Sequence, residues 1–138
     1  MKVSTRGDYA ARALLSLALH GSDRPTSVKE IAERTGLPQP YLEQILLAVK
    51  GAGLVRSKRG VGGGYVLARP PEEISLADIL AAVDGPLTQL MDEHDHCEGH
   101  CVLQEVWVGV SDEMRRYLEG YTLADLVEST KVGHPDVV

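Results

Sequence analysis

Two cysteines and three histidines crowd one stretch of the chain, Asp92-Glu93-His94-Asp95-His96-Cys97-Glu98-Gly99-His100-Cys101. Thiolates suit zinc and iron–sulfur clusters, and imidazole suits both. A loop carrying such groups can wrap an ion without a helix imposing the ligand spacing. Zinc at Cys97, Cys101 and two of the histidines, in tetrahedral geometry, is one such arrangement. A metal-free dithiol is another, and it closes to a disulfide only where the loop turns sharply. A cysteine near a histidine is also the pairing of nucleophile and base in covalent catalysis. No oxyanion-type loop or substrate-pocket signature accompanies it here, so an enzyme is the remote alternative. The blandest reading is a polar loop with incidental His and Cys.

A second set of residues suits a polyanion. Gln39, Tyr41, Glu43 and Gln44 stand at the polar start of a short apolar helix. Gln bonds the N6/N7 edge of adenine, and Glu accepts from cytosine N4. A carboxylate is unfavourable near phosphates, so Glu43 would filter against wrong bases. Arg56, Lys58, Arg59 and Gly60 follow in a glycine-rich basic turn. There the cations can meet phosphate or a minor groove, and the glycines let backbone lie close to another surface. Ser4, Thr5, Arg6 and Ser27 lie near helix starts, where donors suit phosphate. Each of these residues alone is equally ordinary solvated surface. As a group they form a DNA-reading face. A phosphate-binding P-loop is the rival for the glycines at 60 and 62–64. It fails because no Lys-Ser/Thr follows and a strand comes next.

The elements that position these residues follow from periodicity and punctuation. Tyr9, Ala13, Leu14, Leu17 and Ala18 share one helical stripe over residues 8–20. Ser27 and Glu30 read as a capping box opening a second helix, which Gly36 stops. Pro38 and Pro40 open a third, with Leu42, Ile45, Leu46 and Val49 as its buried stripe. Two short helices joined by a Gly-containing turn have helix-turn-helix spacing. Leu54 to Lys58 and Tyr65 to Ala68 are the strands of a wing. Ser75 opens a fourth helix with Ile79, Leu80 and Val83 inward, stopped at Gly85-Pro86. Residues 87–100 read as irregular. A long helix spans Val102 to Gly120, its seam Leu103, Val106, Val110, Met114, Tyr117 and Leu118. Lying far from the first core, that helix is a natural dimer contact. Thr122 caps a last turn to Val127, and residues 130–138 are expected to fray.

Charge divides the chain along the same line. The formal net charge of the 138 residues is −6. Residues 1–70 hold 11 Lys+Arg and 5 Asp+Glu, whereas residues 71–138 hold 3 and 15. A basic front and an acidic back suit one face for a polyanion and another for partners. With no Phe and one Trp, the core must be built from Leu, Val, Ile and Ala. No apolar run approaches the roughly 20 residues of a membrane span. Lys2 and Arg6 before an apolar stretch mimic an export signal, but Asp8 and Arg12 interrupt it and no cleavage site follows. A cytoplasmic location is expected, where thiols stay reduced and Cys97 and Cys101 suit redox or metal chemistry.

Several segments together carry a resemblance. Met1-Lys-Val-Ser-Thr-Arg-Gly7-Asp-Tyr9-Ala-Ala-Arg-Ala13-Leu, Tyr41-Leu-Glu-Gln-Ile-Leu, Gly53-Leu-Val-Arg-Ser-Lys-Arg-Gly60-Val-Gly-Gly-Gly-Tyr65-Val-Leu and Thr122-Leu-Ala-Asp-Leu resemble the Rrf2 family of bacterial transcription regulators. The resemblance implies a homodimer of winged-helix subunits crossed by a long C-terminal helix. Many members are iron–sulfur sensors of cluster status, nitric oxide, iron or redox state; others lack a cluster and answer to thiols or protein partners. Cluster-binding members usually hold three cysteines in the loop. Cys101-Val-Leu-Gln104-Glu-Val-Trp107 matches the segment after the last of them. Cys97 matches the middle one at a shorter spacing, and the first is absent, its neighbourhood holding Asp92, His94 and His96. Gln104 stands where some members place a His. Some members add an acidic ligand from the partner's first helix, a place that Asp8 occupies here; Asp8 equally suits the positive start of its own helix.

These considerations set the expectations. The fold class is mainly α, a winged helix-turn-helix DNA-binding domain with a small two-stranded wing and a long C-terminal dimerisation helix. Residues 1–71 form the DNA-binding region and 72–101 a linking helix and sensor loop. Residues 102–129 form the dimerisation helix and the return to the core, and 130–138 a flexible tail. The expected function is that of a homodimeric, sequence-specific transcriptional repressor on palindromic double-stranded DNA, with half-sites about 34 Å apart. Its switch would be a [2Fe–2S] cluster on Cys97 and Cys101, completed by His94, His96 or His100 and Asp8. Mixed nitrogen and sulfur ligation raises the potential relative to four thiolates. Zinc or a cluster-free thiol switch on the same fold is the alternative.

Overall fold

In the computed structural model the described residues are 3–20, 24–85 and 100–132. Helix α1 (Thr5–Leu19) begins before the apolar stripe does, because Ser4 caps it: Ser4 Oγ accepts from the Gly7 amide at 2.9 Å. Helix α2 (Val28–Thr35) starts at Ser27, whose Oγ accepts from the Glu30 amide at 3.1 Å. Only that half of the expected capping box is made. Rather than taking the Ser27 amide, the Glu30 carboxylate accepts from the Ser27 hydroxyl at 3.5 Å and from Arg34 at 3.2 Å, the latter a one-turn ion pair. Gly36, at φ 73°, ends α2 in the left-handed conformation that a Cβ disfavours. Helix α3 (Gln39–Gly51) then starts with Pro40 in its first turn, where a missing amide costs little.

The wing is a two-stranded antiparallel sheet, β1 (Val55–Lys58) and β2 (Gly64–Leu67), in the register Val55↔Leu67 to Lys58↔Gly64. Its inner strand is also clipped to the chain before α2. The Thr26 amide donates to the Tyr65 carbonyl at 2.9 Å, and the Tyr65 amide to the Thr26 carbonyl at 2.8 Å. The wing is therefore fastened beside the start of the helix-turn-helix.

A 3-10 turn (Pro71–Glu73) leads to α4 (Leu76–Asp84); α5 (His100–Glu119) and α6 (Leu123–Lys131) complete the order. The starts of α4 and α6 share one clamp. The Leu76 amide donates to the Tyr121 carbonyl at 2.8 Å and the Leu123 amide to the Ile74 carbonyl at 2.9 Å. Full capping boxes, Ser75 with Asp78 and Thr122 with Asp125, close both ends. The clamp seats Ile74 and Leu123 in the core, both fully buried. Helix α6 outruns the expected single turn because it packs along α1.

Helix α1 is the axle of the fold, packing against α2, α3, α4, α6 and β2. Its Ala10, Ala13, Leu14 and Leu17 meet Ile31, Leu42, Ile45, Leu46 and Val49 of the helix-turn-helix, with Ile74, Ile79, Val83 and Leu123 from the acidic half. The core is aliphatic, as a chain without Phe requires. Among the described residues no helix is long and apolar enough to cross a membrane.

Candidate functional site

The buried stripe of α3 dictates which of its side chains are left for solvent. Leu42, Ile45, Leu46 and Val49 face the core, so Gln39, Pro40, Tyr41, Glu43, Gln44 and Leu47 are exposed. The structure thus leaves all four sequence-selected readers exposed. Arg6, from the first turn of α1, joins them. With Pro40, Tyr41, Gln44 and Ile45 it lines a hollow of 510 Å³. Thr5 beside it is exposed as well. A cation, an amide and an aromatic ring in one concavity suit phosphate beside a base edge.

On the other flank, Arg56, Lys58, Arg59 and Gly60 are exposed along β1 and into the wing turn. The turn is closed by the Gly63 amide donating to the Gly60 carbonyl at 3.0 Å. Gly60 and Gly62 have φ of 95° and 76°, so these two positions need glycine. Ser27 lies where the wing clips to α2, its hydroxyl committed to the cap. Ser4 is likewise committed. Its Oγ accepts from Gly7 and donates to Asp84, so the same proton cannot be offered to a phosphate. Thr5 and Arg6 are the residues of that segment left open to a ligand.

Sequence reasoning places Tyr9 in the buried stripe and misses its second role. Its ring packs edge-on against Tyr41, centroids 5.8 Å apart at 78°. The reading helix therefore leans on α1 through an aromatic pair. Asp84 is missed too, since nothing local links it to a serine 80 residues away.

Glu43 gives this face its one exposed carboxylate among the residues singled out for reading. Glu43→Ala should broaden base preference while leaving overall affinity equal or higher, because a repulsion from phosphate is removed. Selection from a randomised duplex pool checks this; an unchanged sequence preference would remove Glu43 from the readers.

The His/Cys stretch falls mostly outside the described residues, which is where His94, His96 and Cys97 lie. Helix α5 begins at His100, and Cys101 follows, exposed, in its first turn. One turn further, Gln104 Oε1 is buried without a hydrogen-bond partner. Asp8, in the first turn of α1, is held by Arg12 at 3.0 Å, both half-exposed. Among the described residues, no three His, Cys, Asp or Glu converge as a metal group would need.

Beyond that turn α5 shows a bare apolar face. Val102, Leu103, Val106 and Tyr117 are 66%, 50%, 52% and 66% exposed. With Val3 at its edge, a groove of 640 Å³ runs beside Met114, Tyr117 and Leu118. At the end of α5 the Tyr117 and Tyr121 hydroxyls lie 3.2 Å apart, and that hydrogen bond raises Tyr121 above the ordinary phenol value.

Comparison with known proteins gives a consistent picture. The model of the family "Rrf2: Iron-dependent Transcriptional regulator" matches residues 3–129. The HTH-type transcriptional regulator CymR of Bacillus subtilis is 35% identical over 132 residues, 94% of this chain and 92% of that protein. The HTH-type transcriptional regulator IscR of Aliivibrio salmonicida is 35% identical over 135 residues, 96% of this chain and 80% of that protein. The solved structure of CymR, described as the global cysteine regulator of B. subtilis, superposes with a TM-score of 0.81 over 94% of this chain and 98% of the other, at 35% identity. That of T. potens IscR gives 0.78 at 40% identity, over 94% and 88%.

Proposed function

Because this chain belongs to the Rrf2 family of transcriptional regulators, we propose that it is a homodimeric repressor of palindromic DNA, switched by an iron–sulfur cluster. The observation that carries the DNA-binding part is the outward face of α3, where Tyr41 and Gln44 share a concavity with Arg6. Gln39, Tyr41, Glu43 and Gln44 read base edges. Thr5, Arg6, Arg56, Lys58 and Arg59 hold the backbone on both flanks, with the Ser27 end of α2 and Gly60 at the wing turn close to it. Each neutralised phosphate makes binding more salt-dependent. The exposed apolar face of α5 supports pairing of two chains along that helix.

The donor set supports a cluster rather than excluding one. Once reduced, Cys97 and Cys101 would offer two thiolates, which with two of His94, His96 and His100 match mixed nitrogen–sulfur ligation, and the partner's Asp8 would be a further oxygen donor. When bound, a [2Fe–2S] centre would supply a redox-responsive group at the start of α5. The chain's own part is to link that group to the helices. Cys101 would tie it to the first turn of α5, and the partner's Asp8 to the first turn of that subunit's α1. A hundredfold change in DNA affinity needs only about 2.7 kcal/mol of coupling between the two sites. The existence of an oxidized form of Staphylococcus aureus CymR, 36% identical to this chain, favours a second reading, a cluster-free thiol switch at Cys97 and Cys101.

One experiment separates the readings. Protein purified without oxygen is expected to be coloured, with iron and sulfide in equal amounts. Its DNA affinity should change by about a hundredfold on chelation, an effect lost in Cys101→Ser. Zinc without colour would replace the cluster by a mononuclear site. A colourless, metal-free protein binding at full affinity would leave only the thiol switch.

A further inference from the structure

We infer that Asp84 is a positioning residue for DNA reading, acting through Ser4 on the first turn of α1. Ser4 Oγ accepts from the Gly7 amide and donates to Asp84 Oδ2, so one hydroxyl joins the start of α1 to the end of α4. Beneath this bond the helices meet without an intervening side chain. A Cβ on Gly7 would lie 2.5 Å from Leu80 Cδ2 and 3.0 Å from Asp84 Oδ2. The joint combines a charge-assisted hydrogen bond with a close-packed contact, and both fix the same turn.

That turn presents the reading surface. Thr5 and Arg6 follow Ser4 directly, and Arg6 lines the hollow with Tyr41 and Gln44. Tyr9, on the next turn, holds Tyr41 by its ring edge. A shift of the start of α1 therefore moves a phosphate-binding cation and a base-reading aromatic together. Asp84 also ends α4, one residue before Gly85 at φ 80°, where the chain leaves for residues 86–99. A load on that segment can reach the start of α1 through this joint. This last step rests on the proposed sensing role; the positioning role does not.

The test uses the full chain and a duplex that the parent selects from a randomised pool, with a scrambled duplex beside it. The readout is the ratio of the two affinities, which a loss of general stability would not move. Asp84→Ala removes the acceptor. Ser4→Gly removes the donor while keeping a tolerated N-cap residue. Each is expected to lower the ratio about fivefold, and the double variant no further, because both break one contact. Asp84→Asn still accepts from Ser4 and should restore the parent's ratio, which also keeps the test valid if Asp84→Ala fails to fold. Effects that multiply in the double variant, an unchanged ratio, or an Asn variant as poor as Ala would overturn the inference. Chelation of the parent is scored separately. If it leaves parental binding unchanged, the sensing reading falls, and the Ser4/Asp84 cycle still decides the joint.

Discussion

Val106→Glu is expected to yield a folded monomer whose affinity for the selected duplex is lower by about a hundredfold or more. In the single chain this side chain is 52% exposed and Leu103, one turn before it, 50%. A carboxylate there meets water, and Glu is at least as good a helix former as Val, so α5 should keep its helix. In a dimer packed on this face the same carboxylate would be buried, and twofold symmetry would bury two. Each buried, unpaired charge costs several kcal/mol, which exceeds the 2.7 or so kcal/mol of a hundredfold effect. Loss of pairing removes the second reading helix, and with it the gain from binding two half-sites at once. Light scattering measures the mass and fluorescence anisotropy the affinity. Circular dichroism verifies that the helices remain. A variant still dimeric at micromolar concentration, with parental affinity, would move the pairing surface off α5.

Which parts of this arrangement are legible in the sequence depends on how local their causes are. The stops and starts of α2, α3 and α4 are readable because Ser27, Gly36, Pro40 and Ser75 act on their own backbone neighbours. The wing is readable because its glycines separate two short strand segments, Leu54 to Lys58 and Tyr65 to Ala68. The outward residues of α3 follow once its inward stripe is known, since 3.6-residue geometry leaves no other place for Tyr41 and Gln44. Periodicity places the start of α1 too late because its first turn, Thr5 to Asp8, is polar, and only the Ser4 cap marks its true beginning. The box pattern assigns Glu30 to the Ser27 amide. In the fold Glu30 bonds Arg34, a competitor on the same helix face that the pattern does not weigh. Least legible are contacts between distant segments, Ser4 with Asp84, Tyr9 with Tyr41, and Thr26 with Tyr65. Each depends on how α1 and β2 settle on the core, and no spacing rule connects such residues. The residues of the sensor stretch stand out by composition alone. How His94, His96 and Cys97 are arranged lies outside the described residues.

The Thr26–Tyr65 clip leads to the second large effect, which a single methyl group should produce. In Gly64→Ala the added Cβ would fall inside van der Waals contact of the Thr26 carbonyl and 2.8 Å from the Ser27 amide nitrogen. These atoms are backbone and cannot swing aside, and φ at this position is 152°, a region L side chains rarely adopt. The conflict resolves only if β2 leaves Thr26. That breaks two backbone hydrogen bonds worth about 1 kcal/mol each, while holding the residue in place would instead cost about 1–3 kcal/mol of strain. A loss of about 2–3 kcal/mol is therefore expected, lowering the thermal midpoint by roughly 5–12 °C. The functional consequence should be more specific than the thermal one. Arg56, Lys58 and Arg59 ride on the wing, so freeing it withdraws cations from the DNA backbone while α3 stays docked on its aliphatic stripe. Affinity should fall about tenfold at moderate salt, and the slope of log affinity against log salt should flatten by about 0.9 for each phosphate that the wing no longer neutralises. Val61→Ala, at the exposed tip of the same turn, should change neither quantity. The salt slope distinguishes the two ways of losing affinity. A destabilised but correctly seated wing would keep the parental slope, whereas only a displaced wing flattens it. If Gly64→Ala keeps both the parental midpoint and the parental slope, then the clip at Thr26 is not what seats the wing.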